Sequence, residues 1–186
     1  MALTESNMLP LGAALPAFSL PDTVSGDLVT DQDYRGKPLV VVFMCNHCPF
    51  VVHVLDELAR AGRDFAAQGV SMLAISSNDV QSHPADGPDR MAQLARDKGF
   101  VFPYAYDESQ AVAKAFDAAC TPDFYLFNAD AELVYRGQFD ASRPGNGIDI
   151  TGDDLRSAVS ALVAGSPVAA SQTPSIGCNI KWRASA

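Results

Sequence analysis

Cys45 and Cys48 lie three residues apart in Phe43-Met44-Cys45-Asn46-His47-Cys48-Pro49, between the apolar run Leu39 to Val42 and a helical pattern that begins near Phe50. The first turn of a helix carries unpaired N–H groups and the positive end of the peptide dipole, and both stabilise an anion. A thiolate is such an anion, and it is the form of cysteine that attacks disulfides and binds metals. Three readings of the pair are open. Two buried thiols can simply pack as small hydrophobes. They can be half of a zinc site, although zinc takes four ligands and neither a second Cys-x-x-Cys nor a Cys-x-x-His is present; His47 and His53 are the nearby additions. They can form a redox dithiol, which accounts for both the spacing and the strand-to-helix setting. On the dithiol reading no metal and no cofactor is expected.

Other side chains bear on that chemistry. A protonated His47 would favour a neighbouring thiolate, and a solvated loop histidine is the equal alternative. His53 and His83 read as surface residues. Lys37 and one of Asp56 or Glu57 are candidates for assisting proton transfer to Cys48. Cys178 is a lone thiol in the C-terminal tail, either merely packed or an additional resolving cysteine brought in by docking of Ile180 and Trp182.

The elements that must position these residues follow from periodicity. Leu15 to Pro21 reads as a short edge strand between prolines, with Thr23-Val24 and Leu28-Val29 as hairpin arms around Ser25-Gly26-Asp27. The run Leu39 to Met44 is apolar on both faces, as in a central parallel strand covered by helices. Val51, Val54, Leu55, Leu58, Gly62 and Phe65 recur at helical spacing up to Gly69. Val70 to Ser76 is a second buried strand. Pro88 suits the first position of a helix capped by Asp86 or Gly87 and closed by Gly99. Phe102 to Tyr106 is a short strand, followed by a helix from about Glu108 and a hairpin of Phe124 to Phe127 with Leu133 to Tyr135. Leu155 to Val163 gives the last helix, stopped by Gly165. Strands alternating with helices in this order predict a layered α/β sandwich with a parallel portion and an antiparallel hairpin. The tail from Ser166 is rich in Pro and Ser, yet it carries Ile176, Ile180 and Trp182, so part of it is expected to pack back on the domain.

Composition narrows the function classes. With 186 residues, 48% of them hydrophobic, the chain can build one core without disulfide staples. A net charge of −9 argues against nucleic acid, whose phosphates require a basic face. Residues Met1 to Ser6 lack the basic start and apolar run of a secretory signal, and no apolar stretch reaches the roughly 18 residues of a membrane span. A cytoplasmic protein with no membrane partner is therefore expected, and there a Cys-x-x-Cys is reduced and reactive rather than structural.

Phe43 to Pro49 after a Val-rich strand resembles the active site of the thioredoxin superfamily. Cys120-Thr121-Pro122-Asp123-Phe124-Tyr125-Leu126-Phe127 is similar to its cis-proline loop, which opens a hairpin strand. Asp33-Tyr34-Arg35-Gly36-Lys37-Pro38 and Pro174-Ser175-Ile176-Gly177-Cys178-Asn179-Ile180-Lys181-Trp182 are similar to the peroxiredoxin-like redoxins of AhpC/TSA type that keep a thioredoxin Cys-x-x-Cys. The resemblance runs from roughly Leu11 to Trp182. It implies a thioredoxin-like three-layer α/β/α sandwich over residues 11–165, with a central mixed sheet, an N-terminal strand or hairpin extension, and a tail at 166–186. It implies thiol–disulfide oxidoreductase activity, with Cys45 as nucleophile and Cys48 as resolving thiol. Thr121-Pro122 would lie beside the dithiol to receive an extended substrate. Cys120 would then sit near the pair, as a small buried residue or a further redox thiol. The implied partners are a protein or small-molecule disulfide and a thioredoxin-type reductant. In the peroxiredoxin register Cys48 would take the peroxidatic place and Cys45 the place of their threonine, and their arginine would fall near Thr121-Pro122, where there is none. That argues against efficient peroxide reduction and leaves a thiol peroxidase as the alternative. A metal-binding or redox-sensing protein without turnover is the alternative of another class.

Overall fold

The apolar run Leu39–Phe43 is the central strand of the molecule, and its alternate side chains explain why. In the computed structural model, which describes residues 3–184, Val40 and Val42 join one apolar cluster while Leu39, Val41 and Phe43 join another. A strand with period-two side chains can be apolar throughout only when both faces of its sheet are covered.

The elements run β1 (Leu3–Glu5), β2 (Ser19–Pro21), β3 (Leu28–Thr30), β4 (Leu39–Phe43), α1 (Pro49–Ala67), β5 (Ser71–Ser76), α2 (Pro88–Lys98), β6 (Tyr104–Tyr106), α3 (Ala111–Ala115), β7 (Cys120–Thr121), β8 (Asp123–Phe127), β9 (Leu133–Gly137), α4 (Asp153–Val163) and β10 (Ile176–Asn179). Five strands form the main sheet in the order β6-β5-β4-β8-β9. β4, β5 and β6 are parallel, while β4–β8 and β8–β9 are antiparallel, so the sheet is mixed. Val51, Val54, Leu55, Leu58 and Phe65 of α1, Met91 and Ala95 of α2, and Leu155 and Val159 of α4 cover one face. The other face is covered by Val112 and Ala113 of α3 with Phe18, Leu20 and Val29 of the β2–β3 hairpin. This is the α/β/α arrangement expected, with one outer layer made of a hairpin and a five-residue helix. Among the described residues no helix is long and apolar enough to cross a membrane.

Local chemistry moved several boundaries. The hairpin pairs Ser19–Pro21 with Leu28–Thr30 instead of using Thr23-Val24, because Asp22 organises a wider turn. Its backbone N–H donates to Asp27 O (2.8 Å), and its carboxylate accepts the N–H groups of Ser25 (2.9 Å) and Tyr104 (3.0 Å). β6 starts at Tyr104, two residues later than the apolar run, because Pro103 has no N–H to donate. α3 starts at Ala111, not near Glu108, because the Asp107 carboxylate takes the N–H of Ala113 (2.9 Å) and holds residues 107–110 in a turn. α2 runs from Pro88 behind Gly87 to a left-handed Gly99, as its capping residues require.

The tail is a structural strand. β10 lies between β1 and β7 in a second, antiparallel sheet, with Cys178 opposite Thr121 and Leu3, and Asn179 opposite Cys120. A tail that reaches the site only by docking is thereby corrected: Cys178 and Ile180 are buried, and Trp182 beyond them is exposed. Gly177 is what allows the close approach. A Cβ there would sit 1.9 Å from Thr121 O and 2.7 Å from its carbonyl carbon, so the strand could not stay where it is. Gly177→Ala is therefore expected to cost more than about 3 kcal/mol, read as a lowered urea midpoint. A loss within ~0.5 kcal/mol would show that β10 is not tied to the Thr121 loop.

Candidate active site

The dithiol sits where β4 ends. Met44 N–H still donates to Ile75 O (2.9 Å), and the chain then leaves the sheet through Cys45, Asn46 and His47. Cys48 is the residue that caps α1, with Pro49 at the first helical position and Val52 N–H donating to Cys48 O (2.9 Å). All four cysteines are thiols, and all four are buried. Neither sulfur of the pair faces solvent: Cys45 is 1% exposed and Cys48 0%. The cover is the Asn46-His47 loop itself, held down by Asp86.

Asp86 is fully buried, and its two oxygens meet four N–H donors. Oδ1 accepts from Asn46 N (2.8 Å) and His47 N (3.3 Å), and Oδ2 accepts from His47 Nδ1 (2.6 Å) and Asn78 Nδ2 (2.8 Å). Asn46 is pinned further by Ala85 O (2.9 Å) and by the Tyr104 hydroxyl, which donates to its Oδ1 (3.2 Å). His83 stacks on His47 with ring centroids 5.0 Å apart, which brings it to the site rather than leaving it a plain surface residue. From the sequence Asp86 reads only as a possible helix cap. Lying 39 residues from His47, it gives no sequence signal that would link the two.

Thr121 closes the other side. Its carbonyl lies 3.1 Å from Cys48 Sγ, its hydroxyl 3.7 Å from Cys45 Sγ, and its peptide bond to Pro122 is cis. Ser175 Oγ donates to Pro122 O (2.5 Å), which anchors this loop to the tail. None of the side chains recorded around the two sulfurs (His47, Asp86, Thr121 and Cys178) is an arginine. Cys120 points away, with its sulfur 3.7 Å from Pro122 O and 3.9 Å from Ser175 O, and burial keeps its proton on.

The electrostatics of the pair are asymmetric. The hydrogen bond from Cys45 lowers the Cys48 pKa, helped by Thr121, by Cys178 and by the Val51 N–H of the first helical turn, against the opposing effect of burial. Cys45 is raised, first by that same bond to Cys48, then by burial and the Asp86 charge. The two thiols titrate together, with ionisation favoured at Cys48 and opposed at Cys45. His47 cannot relieve Cys45 in this geometry. Its Nδ1–H is committed to Asp86, and the same nitrogen faces Cys45 Sγ at 3.9 Å, so it has no lone pair there to take a proton. A Cys-His-Asp relay would need the two ring nitrogens to face different partners.

Four other side chains do not reach the sulfurs. Asp56 pairs with Lys98 (2.6 Å), and Glu57 pairs with Arg156 (2.6 Å) and Arg60 (2.6 Å) on the flank of α1. Lys37 precedes β4 whereas the dithiol follows it, a separation of about 16 Å along a five-residue strand. His53 is bonded to Ser142 (3.1 Å). Among the described residues, Cys45, His47 and Asp86 form the group with donor chemistry for a metal, their ligand atoms lying within 4.8 Å of one another. An ion there would have to displace the bond between His47 and Asp86.

Two outcomes test this arrangement. Asp86→Ala strands four N–H donors and should lower stability by roughly 3 kcal/mol while speeding alkylation of Cys45, both measurable on the reduced protein. Alkylation at the wild-type rate would mean that Asp86 does not hold the cover. Next to Pro122, burial pushes the Asp123 carboxyl up to about 7, although Ser6 (2.7 Å) and Tyr125 (3.0 Å) donate to it. The folded state thus keeps a proton that the unfolded chain loses near 3.8. Its stabilising share is complete below that pH and is lost as pH rises through about 7. Urea unfolding at pH 5 and pH 8 should show a steeper loss toward pH 8 in the wild type than in Asp123→Asn, and equal slopes would refute the assignment.

Comparison with known proteins follows the same lines. The chain is 52% identical to an uncharacterized conserved protein from Geobacillus kaustophilus, with a TM-score of 0.98 over 100% of this chain and 99% of that one. It has a TM-score of 0.60 and 19% identity with a secreted disulfide oxidoreductase of Mycobacterium tuberculosis, covering 78% of this chain and 96% of the other, which establishes likeness of fold. It is 24% identical over 118 residues to the thiol-disulfide oxidoreductase ResA of Halalkalibacterium halodurans, covering 63% of this chain. The chain spans 62% of the length of that relative. The AhpC/TSA family model matches residues 11–136, from the loop before β2 to the penultimate residue of β9 and so across the dithiol and Pro122. On a thioredoxin fold with a central mixed sheet, this chain belongs to the AhpC/TSA family.

Proposed function

We propose that the protein is a thiol–disulfide oxidoreductase that works through Cys45 and Cys48. The observation that carries this reading is the meeting of both sulfurs at Thr121, beside Pro122 and at the first turn of α1. Ionisation favoured at Cys48 and opposed at Cys45 describes the closed pair. When the Asn46-His47 loop lifts from Asp86, water removes the burial and the carboxylate field that keep Cys45 protonated. A proton passing between the sulfurs then puts the thiolate on Cys45. That thiolate attacks one sulfur of a substrate disulfide, forming a mixed disulfide and expelling the first substrate thiol. Cys48 attacks Cys45 in turn, closing the Cys45–Cys48 disulfide and releasing the second thiol. The substrate gains two electrons and two protons, and the protein dithiol loses them. Exposed Pro49 and Val52 on the first turn offer apolar surface beside the pair for an extended substrate. The relative named a thiol-disulfide oxidoreductase supports the reaction class. A reducing compartment such as the cytoplasm, with a thioredoxin-type donor to return the dithiol, suits the reading.

The test is trapping. Cys48→Ser exposed to a peptide disulfide should accumulate a mixed disulfide on Cys45. Cys45→Ser should not, and either variant should lose at least about a hundredfold in disulfide turnover. An adduct on Cys48 in the wild type would reverse the two roles, and neither adduct nor turnover would refute the reading. Family membership keeps peroxide reduction in view. Without an arginine at the sulfurs, consumption of peroxide with a thioredoxin reductant should be far slower than disulfide reduction. A second reading rests on the Cys45, His47 and Asp86 donors. Near-stoichiometric zinc in anaerobically purified protein, lost on Cys45→Ser, would favour it over turnover.

A further inference from the structure

Cys48 has two thiol neighbours. Cys45 precedes it in the chain, and Cys178 comes from β10, 130 positions later in the sequence. The β10–β7 register sets Cys178 directly opposite Thr121, the residue whose carbonyl lies 3.1 Å from Cys48 Sγ. Gly177, with no room for a Cβ against Thr121 O, brings the strand that close. Cys45, Cys48 and Cys178 belong to one buried cluster, and the Cys178 side chain contributes hydrogen bonding to Cys48. A small buried residue would fill the same volume as alanine does. A thiol beside Cys48 is a nucleophile next to an electrophile once the Cys45–Cys48 pair is oxidised.

We infer that Cys178 is a third redox thiol, which attacks Cys48 in the Cys45–Cys48 disulfide to form a Cys48–Cys178 disulfide and return Cys45 as a thiol. The inference rests on the dithiol reading above. The Cys178 thiolate forms the new bond to Cys48 Sγ, the Cys45–Cys48 bond breaks, and Cys45 leaves as a thiolate that takes up the proton Cys178 gave away. The number of disulfides is unchanged, so neither oxidant nor reductant is required.

The electrostatics make the step conditional on oxidation. In the reduced protein, burial raises Cys178, and its bond to Cys48 and the Cys48 charge add to the effect, while Lys181 opposes it. Forming the Cys45–Cys48 disulfide removes the Cys48 charge and its bond, leaving burial against Lys181. Cys178 therefore loses part of what keeps it protonated only after Cys48 has become the sulfur to attack. The result returns Cys45, beside the 24%-exposed His47 ring, as a thiol that can take a second substrate once the Asn46-His47 loop lifts. Cys120 does not compete, because its sulfur faces the carbonyls of Pro122 and Ser175.

The experiment is disulfide mapping of the full chain in graded glutathione buffers, followed by alkylation and peptide mass spectrometry. Wild type should yield the Cys45–Cys48 disulfide as the main oxidised species and a second population with Cys48 linked to Cys178 and Cys45 alkylated. Cys178→Ser should lose that second population. Cys45→Ser should form the Cys48–Cys178 disulfide alone. Wild type oxidising at Cys45–Cys48 with Cys178 always recovered alkylated, in the wild type and in Cys45→Ser, would overturn this inference while leaving the dithiol reading intact. Absence of any Cys45–Cys48 disulfide in the wild type would instead defeat the dithiol reading. Should Cys45→Ser not fold, as near-ultraviolet circular dichroism would show, the wild type and Cys178→Ser pair decides the matter by itself.

Discussion

A carboxylate with no exposure to water must have its charge satisfied by the protein around it, and Asp86 is the group on which this site depends. Three of its four donors come from Asn46 and His47, the two residues between the cysteines, and the fourth from Asn78 at the end of β5. Asn78 is tied onward, its Oδ1 accepting from Lys181 N (2.8 Å) in the tail. A single buried acid thus links the dithiol loop, the exit of β5 and the segment after β10. The same carboxylate opposes ionisation of Cys45 and occupies the one His47 nitrogen that faces it. What shields the sulfurs also quiets the one nearer the loop.

The opposite wall is built from backbone. Thr121 offers a carbonyl to Cys48 and a hydroxyl to Cys45, and β10 pairs against it through a glycine that leaves no space for a side chain. β1 pairs with the far edge of β10, and Ser6, just beyond it, donates to Asp123 next to Pro122. Both ends of the described chain therefore converge on the loop that contacts the dithiol. This sheet of three short strands lies outside the five-stranded core yet determines the position of Thr121.

Within the AhpC/TSA family the site is altered in a consistent direction. A peroxide site needs a positive group to stabilise a lone thiolate and to polarise the O–O bond. Here ionisation of Cys48 is favoured by neighbouring thiols, a hydroxyl and an amide, and a second cysteine stands beside it.

The sequence by itself determined the local physics. The doubly apolar run at β4, the helical stripe of α1, the Gly87-Pro88 start and Gly99 stop of α2, and two thiols at a strand-to-helix junction all follow from spacing and from glycine and proline. It also held the resemblance that placed Pro122 beside the pair. It offered Asp86 only as a helix cap and His83 only as a surface residue, because a buried acid in a polar loop has the same local signature as a solvated one. It misplaced Lys37 because linear proximity says nothing about which end of a strand a residue occupies. It left open whether Cys178 was merely packed or brought in by docking, because a four-residue strand with a glycine at its second position has no periodicity to reveal it. Only tertiary structure decided that Cys178 faces Thr121 and that both sulfurs are covered. Those facts depend on pairing between segments far apart in the chain, whose energy arises only when the fold brings them together.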